Sequence, residues 1–270
     1  MIGFDLDGTL LTTEKKLTVH TREVLLEAVR RGIEILPATG RPLSGLPAEV
    51  RTFPGVRYAV TSNGARIVEA ESQETLYANL MPPDKARELM KIFSEYDTMR
   101  EIYYDGTGYS DTEKMNNIRH YVSDPAMINY ILNSRVAIAD IDEKFRQENR
   151  PVDKVHALFA NLKEREEALE RVKKIPGVEV TGALVNNIEV NAEGVNKGEA
   201  LLRLGEKLGI DREEIAAFGD GANDRAMLQA VGVGVAMANA IPEVKEAAKY
   251  MTVSNDEEGV AAFIERYILA

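Results

Sequence analysis

The feature that most constrains the fold of this chain is an alternation of short apolar runs and amphipathic segments at both ends, interrupted in the middle. Near the N-terminus, strands are predicted at Ile2–Leu6, Ile33–Ala38 and Val56–Thr61. A helix is predicted at Thr18–Arg31 and a weaker one, interrupted by Pro42 and Pro47, at Arg41–Phe53. Strands that alternate with helices indicate a parallel sheet covered on both faces. We therefore expect an α/β fold with a Rossmann-like, doubly wound parallel sheet as its core.

The C-terminal part of the chain repeats this alternation. Strands are predicted at Ile188–Asn191, Ile215–Gly219 and Val231–Met237, and helices at Lys197–Leu208, Ala222–Ala230, Pro242–Lys249 and Asp256–Leu269. The glycines at 232 and 234 lack the third glycine of a dinucleotide-binding fingerprint, which favours a buried strand at that point.

The middle of the chain has a different pattern. The stretch Met81-Pro82-Pro83-Asp84 ends the alternation, and Glu101–Ser110 predicts a hairpin turning at Asp105-Gly106. Strand and helix patterns follow in no regular order, and residues 114–148 give no clear pattern. We expect an outer α/β fold at 1–81 and 184–270 with an α+β module inserted at 82–183.

Composition narrows the possible partners. A net charge of −11 disfavours binding to nucleic acid through a broad basic face, and the chain has no cysteine for disulfides or thiolate chemistry. Lack of cysteine fits a reducing cytosol. No apolar run is long enough to cross a bilayer. We expect a cytoplasmic protein, monomeric or a small homo-oligomer, with no nucleic-acid or membrane partner.

Two aspartates follow directly after the first predicted strand, in the stretch Asp5-Leu6-Asp7-Gly8-Thr9. Side chains at i and i+2 share a face of an extended segment, so both carboxylates can converge on one point. Such a pair can hold a hard cation such as Mg²⁺, and a carboxylate can also attack phosphorus. The alternative is an ordinary turn, because Asp-Gly is a common turn sequence. A calcium loop is disfavoured, since its twelfth position, counted from Asp5, is Lys16.

Three later stretches decide between a turn and an active site. They are Thr39-Gly40-Arg41, Asn196-Lys197-Gly198 and Gly219-Asp220-Gly221-Ala222-Asn223-Asp224. Taken singly, each has a structural explanation: a loop, a solvated lysine or a helix cap. However, all follow the C-terminal ends of predicted parallel strands, the edge at which ligands bind in open α/β sheets. Their combination favours a binding site for a metal and an anion.

With these four stretches in this order, the chain resembles the haloacid dehalogenase-like hydrolases, and among them the Cof-type phosphatases. The resemblance covers roughly residues 1–80 and 184–270, and includes Ser62-Asn63-Gly64-Ala65 and the position of the inserted module. One departure is the short segment before Asp5. Another is Pro37, which cannot donate to a sheet ladder and leaves the pairing of the second strand open.

The resemblance implies a role for each matching residue. Asp5 is the nucleophile that forms an aspartyl-phosphate, and Asp7 is the general acid and base. Mg²⁺ is bound by the carboxylates of Asp5 and Asp220 and by the backbone carbonyl of Asp7. The residues that the resemblance assigns to phosphate binding are Leu6, Thr39, Gly40, Lys197 and Asn223, with Asp224 and Arg41 in support.

The function that the resemblance implies is a Mg²⁺-dependent phosphatase for small phosphorylated metabolites, with sugar phosphates favoured. A phosphomutase or phosphotransferase acting through the same Asp5 is the first alternative, and a non-catalytic regulatory module is the second. The inserted module would be a lid, or cap, that contacts the leaving group. Its tyrosines Tyr103 and Tyr104 either face substrate or form the core of the cap, and the core is favoured.

Overall fold

A computed structural model describes residues 1–182 and 185–270, which divide into two compact units. The first unit comprises Met1–Gly40, Leu46–Tyr77 and Asn196–Ala270, and the second comprises Arg41–Gly45 and Ala78–Val195. The described part of the expected insertion, 82–183, lies within the second unit. That unit also includes 41–45, 78–81 and the described residues up to 195. Ala183 and Leu184, at the expected boundary, lie outside the described residues.

The strands are numbered in chain order. They are β1 (Ile2–Phe4), β2 (Ile35–Pro37), β3 (Tyr58–Thr61), β4 (Arg66–Glu69), β5 (Thr75–Ala78), β6 (Thr98–Tyr104), β7 (Thr107–Asp111), β8 (Arg135–Ile138), β9 (Lys154–Phe159), β10 (Val178–Thr181), β11 (Asn187–Ala192), β12 (Ala216–Gly219), β13 (Val233–Ala236) and β14 (Tyr250–Met251).

The α-helices are numbered in the same way. They are α1 (Val19–Arg30), α2 (Ala48–Arg51), α3 (Pro83–Ser94), α4 (Thr112–Asn116), α5 (Pro125–Ser134), α6 (Ile141–Glu148), α7 (Leu162–Val172), α8 (Lys197–Leu208), α9 (Arg225–Ala230), α10 (Pro242–Ala247) and α11 (Gly259–Tyr267). Among the residues described, no helix has the length and apolar character that a membrane span requires.

The first unit is built on a parallel sheet in the order β14-β13-β12-β1-β2. From β1 the chain proceeds to β2 on one side, and much later to β12, β13 and β14 on the other. The strand order therefore reverses between β1 and β12, and ligands of open α/β sheets bind beyond the strand ends at such a switch point. The predicted α/β fold with a parallel core is confirmed.

Helices cover both faces of this sheet. Successive residues of a strand point to opposite faces, so neighbouring residues of one strand contact different helices. In β12, Ala217 packs with the α8 and α9 residues of one apolar cluster, whereas the ring of Phe218 meets Phe263 of α11 at 5.5 Å between centroids. On the α8 side, a Cβ on Gly3 would lie 2.7 Å from Leu201, so α8 lies close against β1. The layers are those expected for a doubly wound sheet.

Pro37 does not interrupt the sheet. It pairs in register with Phe4 in β1, and the next amide, that of Ala38, donates to the Phe4 carbonyl at 2.8 Å. Amides alternate in direction along a strand, so the nitrogen of Pro37 points the other way, towards β3, as does the amide of Thr39, which donates to Val60. The missing N–H therefore costs no hydrogen bond to β1.

The second unit contains a mostly antiparallel sheet in the order β10-β11-β9-β6-β7-β8. The predicted hairpin is confirmed as β6 and β7, and Asp105 and Gly106 at its turn have φ of 50° and 73°, the left-handed values that a two-residue turn requires. Tyr103 and Tyr104 are 0% and 1% exposed, which supports the core interpretation of both rings.

A buried ionic cluster lies in the sheet of the second unit. Glu101 is fully buried and accepts hydrogen bonds from Tyr103, from Arg135 at 3.1 Å and from His156 at 2.8 Å. Burial alone would raise the pKa of Glu101, but the charges and hydrogen bonds of these neighbours hold it well below its usual range. Removal of one partner would leave a buried charge uncompensated, which is strongly destabilising.

The sheet expected for one predicted strand and the extent of one predicted helix were wrong. The run Ile188–Asn191 lies in β11, which pairs antiparallel with β9 and β10 in the second unit and does not belong to the parallel sheet. Periodicity identifies a strand but does not say which sheet it joins. The predicted helix 41–53 is reduced to α2, because Pro42 and Pro47 lack the N–H that a helix interior needs.

Candidate active site

Asp5 lies directly beyond β1 at the switch point of the sheet. Its amide still pairs with the sheet, donating to the Phe218 carbonyl of β12 at 3.0 Å. The chain then turns at once, with Gly8 at a φ of 81°, and the Leu10 amide returns to the Asp5 carbonyl at 3.2 Å. The side chain of Asp5 is held in this turn and the residue is only 7% exposed.

A buried lysine joins Asp5 to the fourth motif. Lys197 Nζ donates to Asp5 Oδ1 at 2.7 Å and to Asp224 Oδ1 at 2.6 Å, and the residue is 0% exposed. Lys197 is the first residue of α8, whose start is capped by the side chain of Asn196 accepting from the Glu199 amide. Burial would lower the pKa of Lys197, but the charges of Asp224 and Asp5 outweigh it and raise the pKa above its usual value. The amine therefore stays charged beside Asp5.

Asp224 fixes the loop that follows β12. Its Oδ2 accepts from the backbone amides of Asp220 and Gly221, each at 2.9 Å, while its Oδ1 accepts from Lys197. A Cβ on Gly219 would overlap the Asp224 side chain, so a glycine is needed there for this close approach. With both oxygens engaged, Asp224 holds Lys197 and the loop in place.

Asp220 faces the first motif from the end of β12. Thr9 Oγ1 donates to Asp220 Oδ1 at 2.6 Å, and Gly8 leaves room for the carboxylate because a Cβ there would overlap it. Burial raises the pKa of Asp220 to about 6, with a further contribution from Asp224. Burial likewise raises the pKa of Asp5 to about 7, although Lys197 opposes the shift. Both carboxylates therefore lie in a setting that disfavours negative charge.

The arrangement fits a divalent cation. Carboxylate oxygens of Asp5, Asp220 and Asp224 all lie within 4.8 Å of one another. Because both oxygens of Asp224 already accept hydrogen bonds, Asp5 and Asp220 are the side chains available to bind a metal. Oxygen ligands are those that Mg²⁺ prefers. The side chain of Asp7 is not in this group, and its Oδ1 forms an ion pair with Lys15 Nζ at 2.8 Å.

In a metal-free solution, Asp5→Asn is expected to stabilise the protein more at about pH 8 than at about pH 4. The pKa of Asp5 is raised from its ordinary value of 3.8 to about 7 in the folded protein. Ionisation of Asp5 therefore destabilises the folded state. This destabilisation is absent below the lower pKa and complete above the higher one. Asparagine avoids that cost. Thermal unfolding of both proteins in EDTA across this range measures the effect, and a Tm difference that does not grow with pH would contradict it.

Thr39 and Gly40 lie beside Asn223 through an intermediate residue, Asn63. The Thr39 carbonyl accepts from the Asn63 amide at 3.0 Å, and Asn223 Nδ2 donates to Asn63 Oδ1 at 3.0 Å. A Cβ on Gly40 would lie 2.8 Å from Asn63 Oδ1 and 3.4 Å from Asn223 Nδ2. Since Asn223 directly precedes Asp224, these polar groups adjoin the Lys197 cluster.

Leu6 and Arg41 differ from the other expected site residues in what their side chains can contact. The side chain of Leu6 is 0% exposed, so only its backbone is available to a ligand. Arg41 belongs to the second unit, where its guanidinium lies 4.2 Å from the centroid of the Tyr130 ring and donates to the Gly45 carbonyl at 3.0 Å. These contacts assign Arg41 a structural part within its own unit, and its support of the site remains a prediction.

Sequence reasoning gave no role to three residues that the structure adds to the site: Thr9, Lys15 and Asn63. Thr9 was visible only as part of the first motif, and Lys15 could not be paired with Asp7 without the turn in which its φ is 63°. Asn63 carried a signal, because Ser-Asn-Gly directly after a predicted strand is a turn sequence. Its partner Asn223 is 160 positions away, which no local pattern could have shown.

The chain is similar to known hydrolases in both sequence and structure. A family model for haloacid dehalogenase-like hydrolases matches residues 2–264. A 5-amino-6-(5-phospho-D-ribitylamino)uracil phosphatase of Bacillus subtilis is 30% identical over 269 residues, covering 100% of this chain and 96% of that protein. Among solved structures, a haloacid dehalogenase-like hydrolase of B. subtilis is 26% identical with a TM-score of 0.86, covering 99% of each chain. A subclass IIB sugar phosphatase is 25% identical with a TM-score of 0.83, covering 100% of this chain and 99% of the other.

Proposed function

Because the chain belongs to the haloacid dehalogenase-like hydrolases, as a Cof-type member and a phosphoric monoester hydrolase, we propose that it is a Mg²⁺-dependent phosphatase of small phosphorylated metabolites. Sugar phosphates are the favoured substrates, and the reaction passes through an aspartyl-phosphate. The first unit is the catalytic core, and the second is the cap that sets specificity. A cytoplasmic location and a monomeric or small homo-oligomeric state remain predictions from the sequence.

The observation that carries the proposal is the buried contact of Lys197 with Asp5, next to Asp220. A carboxylate and a phosphate ester are both anionic and repel each other. A fixed ammonium group beside the carboxylate offsets that repulsion without any reorganisation during the reaction. Phosphoryl transfer depends mostly on such positioning and charge neutralisation, so this arrangement suits it.

In the proposed reaction, a carboxylate oxygen of Asp5 attacks phosphorus, and the bond from phosphorus to the leaving oxygen breaks. Asp7 gives its proton to the leaving oxygen and then accepts a proton from the water that attacks the phosphoenzyme. The second attack releases inorganic phosphate and restores the Asp5 carboxylate. Dividing hydrolysis into two steps through a covalent carboxylate intermediate is a recognised route.

In this proposal, the phosphoryl oxygens are bound by groups from five residues. Lys197 supplies a positive charge, Thr39 a hydroxyl, and Asn223 a side-chain N–H. The backbone amides of Gly40 and Leu6 complete the set. All five residues lie in the first unit, and Lys197 touches the nucleophile directly at 2.7 Å.

Chelation is expected to abolish activity, and added Mg²⁺ to restore it. Asp5, Asp220 and the backbone carbonyl of Asp7 would bind the cation, which supplies charge neutralisation at the phosphoryl group. The measurement is hydrolysis of p-nitrophenyl phosphate after exhaustive dialysis against EDTA, with and without Mg²⁺. Ca²⁺ at equal concentration serves as the control, because its larger coordination shell suits this chemistry poorly. Full activity after chelation would contradict the proposal.

The substrate class is tested by a panel of phosphorylated metabolites. Sugar phosphates, phosphorylated vitamins and nucleotides are compared by kcat/KM, and sugar phosphates are expected to lead. Transfer to an added sugar hydroxyl in preference to water would instead identify a phosphomutase or phosphotransferase. No hydrolysis of any monoester in Mg²⁺ would favour the non-catalytic alternative.

A further inference from the structure

The turn at 62–64 has an unusual backbone for residues that are not all glycine. Ser62, Asn63 and Gly64 have φ of 50°, 63° and 102° in succession. Residues other than glycine rarely adopt this backbone conformation. It persists where contacts with the surrounding structure stabilise it. Asn63 is 1% exposed, so the turn is part of the interior of the first unit.

This turn contacts all three of the later site motifs. The Asn63 amide donates to the Thr39 carbonyl at 3.0 Å, and Asn63 Oδ1 accepts from Asn223 Nδ2 at 3.0 Å. Gly64 lies against the carbonyl of Asn196, so closely that a Cβ would overlap that oxygen. Asn196 caps the helix that begins with Lys197. The turn therefore has a fixed position relative to each motif.

We propose that Asn63 is a positioning residue that orients the carboxamide of Asn223 towards the phosphoryl group. A carboxamide has a donor end and an acceptor end, and the wrong end would present an oxygen to an anion. Asn63 Oδ1 accepts one N–H of Asn223 Nδ2, which fixes the donor end on this side. The other N–H of the same nitrogen is the one offered to a phosphoryl oxygen. Asn63 acts through Asn223, and this inference rests on the proposed function.

The close approach of Gly40 supports this assignment. Its missing side chain leaves space where a Cβ would lie 2.8 Å from Asn63 Oδ1 and 3.4 Å from Asn223 Nδ2. The backbone amide of Gly40 and the side-chain amide of Asn223 are therefore neighbours, as two donors to one phosphoryl group must be. Asn63 is buried whereas Asn223 is half-buried, so Asn223 is the member of the pair that can reach a ligand.

The test uses Asn63→Gly, because glycine adopts a φ of 63° without strain while removing the carboxamide. We expect kcat/KM for p-nitrophenyl phosphate to fall about tenfold to 100-fold, the usual range for residues that orient a ligand-binding group. Gln73→Gly is the matched control, since Gln73 has a φ of 61° in the same unit but an exposed side chain away from the site. Its kcat/KM should stay within about twofold of wild type.

A double-variant cycle separates positioning from general support. In an Asn223→Ala background, Asn63→Gly should change kcat/KM by less than about twofold, because the group that it orients is gone. An equal loss in both backgrounds would overturn the proposal, because a purely structural residue gives that result. Asn63→Asp keeps the acceptor oxygen, so Asn223→Ala should cost as much in that background as in wild type. This variant also serves if Asn63→Gly does not fold.

A binding measurement makes the test independent of turnover. Inorganic phosphate is titrated calorimetrically into the Mg²⁺-loaded wild type, Asn63→Gly and Gln73→Gly proteins. Weaker binding in Asn63→Gly alone supports the inference even if the protein hydrolyses none of the monoesters tested, which would count against the proposed function only. Equal phosphate binding by all three proteins would overturn the inference and leave the proposed function standing.

Discussion

Replacement of Asp5 by asparagine is expected to abolish phosphatase turnover, with a loss on the order of 10⁴-fold or more. The substitution keeps the shape of the side chain of a residue that is 7% exposed and removes the charge of the proposed nucleophile. Lys197 retains its second partner, Asp224, at 2.6 Å, so the buried amine stays paired. The variant should therefore fold, and its circular dichroism and Tm in Mg²⁺-free buffer provide the check.

Asp7→Asn is the comparison that identifies the nucleophile. With ³²P-labelled substrate and an acid quench, wild-type protein and Asp7→Asn should both carry label, because a good leaving group needs little help from a general acid. Asp5→Asn should carry none. Label on Asp5→Asn, or turnover close to that of wild type, would remove Asp5 from the role of nucleophile.

The substitution Lys197→Met is expected to reduce both activity and stability. Lys197 is 0% exposed and lies between two carboxylates, at 2.7 Å from Asp5 and 2.6 Å from Asp224. Without the amine, the buried carboxylate of Asp224 loses its cation, and breaking a buried pair in this way costs about 3–5 kcal/mol. Loss of the charge beside the proposed nucleophile should lower kcat about 10²- to 10³-fold. Urea unfolding and steady-state kinetics in Mg²⁺ measure the two effects.

Lys207→Met is the matched control, because Lys207 lies near the end of the same helix with an exposed side chain. It should change neither property appreciably. The double variant Lys197→Met/Asp224→Asn should recover part of the lost stability but none of the activity, since it removes one buried charge without restoring the cation. A double variant no more stable than Lys197→Met would show that charge burial is not the cause.

The sequence motifs predicted a cluster of polar residues, and the structure brings Lys197 and Asp220 close to Asp5. Asp5 and Asp220 were expected at the ends of parallel strands, and the structure shows that these strands, β1 and β12, are adjacent. Lys197 was expected to follow a strand of the same sheet, yet the strand before it, β11, belongs to the second unit. The motif was recognised by its residues, whereas the sheet that a strand joins depends on distant partners that a local pattern does not encode.

Contacts between residues far apart in sequence could not be predicted either. The spacing of Asn63 and Asn223, or of Thr9 and Asp220, says nothing about their hydrogen bonds. The pattern of 114–148 was unclear because that stretch alternates short elements, α4, α5, β8 and α6, each too brief for a periodic signal. By contrast, the hairpin at Asp105-Gly106 was predictable, because its turn chemistry is local.

The central place of β1 in its sheet has a consequence for synthesis. Residues 2–4 pair with 35–37 on one side and with 216–218 on the other. The second partner strand is translated more than 200 residues after the first strand, so until then the nascent chain can pair that strand on one side only. Asp5 gains its neighbours only at that late moment, so a prematurely terminated polypeptide should neither capture the cation nor hydrolyse a phosphate ester.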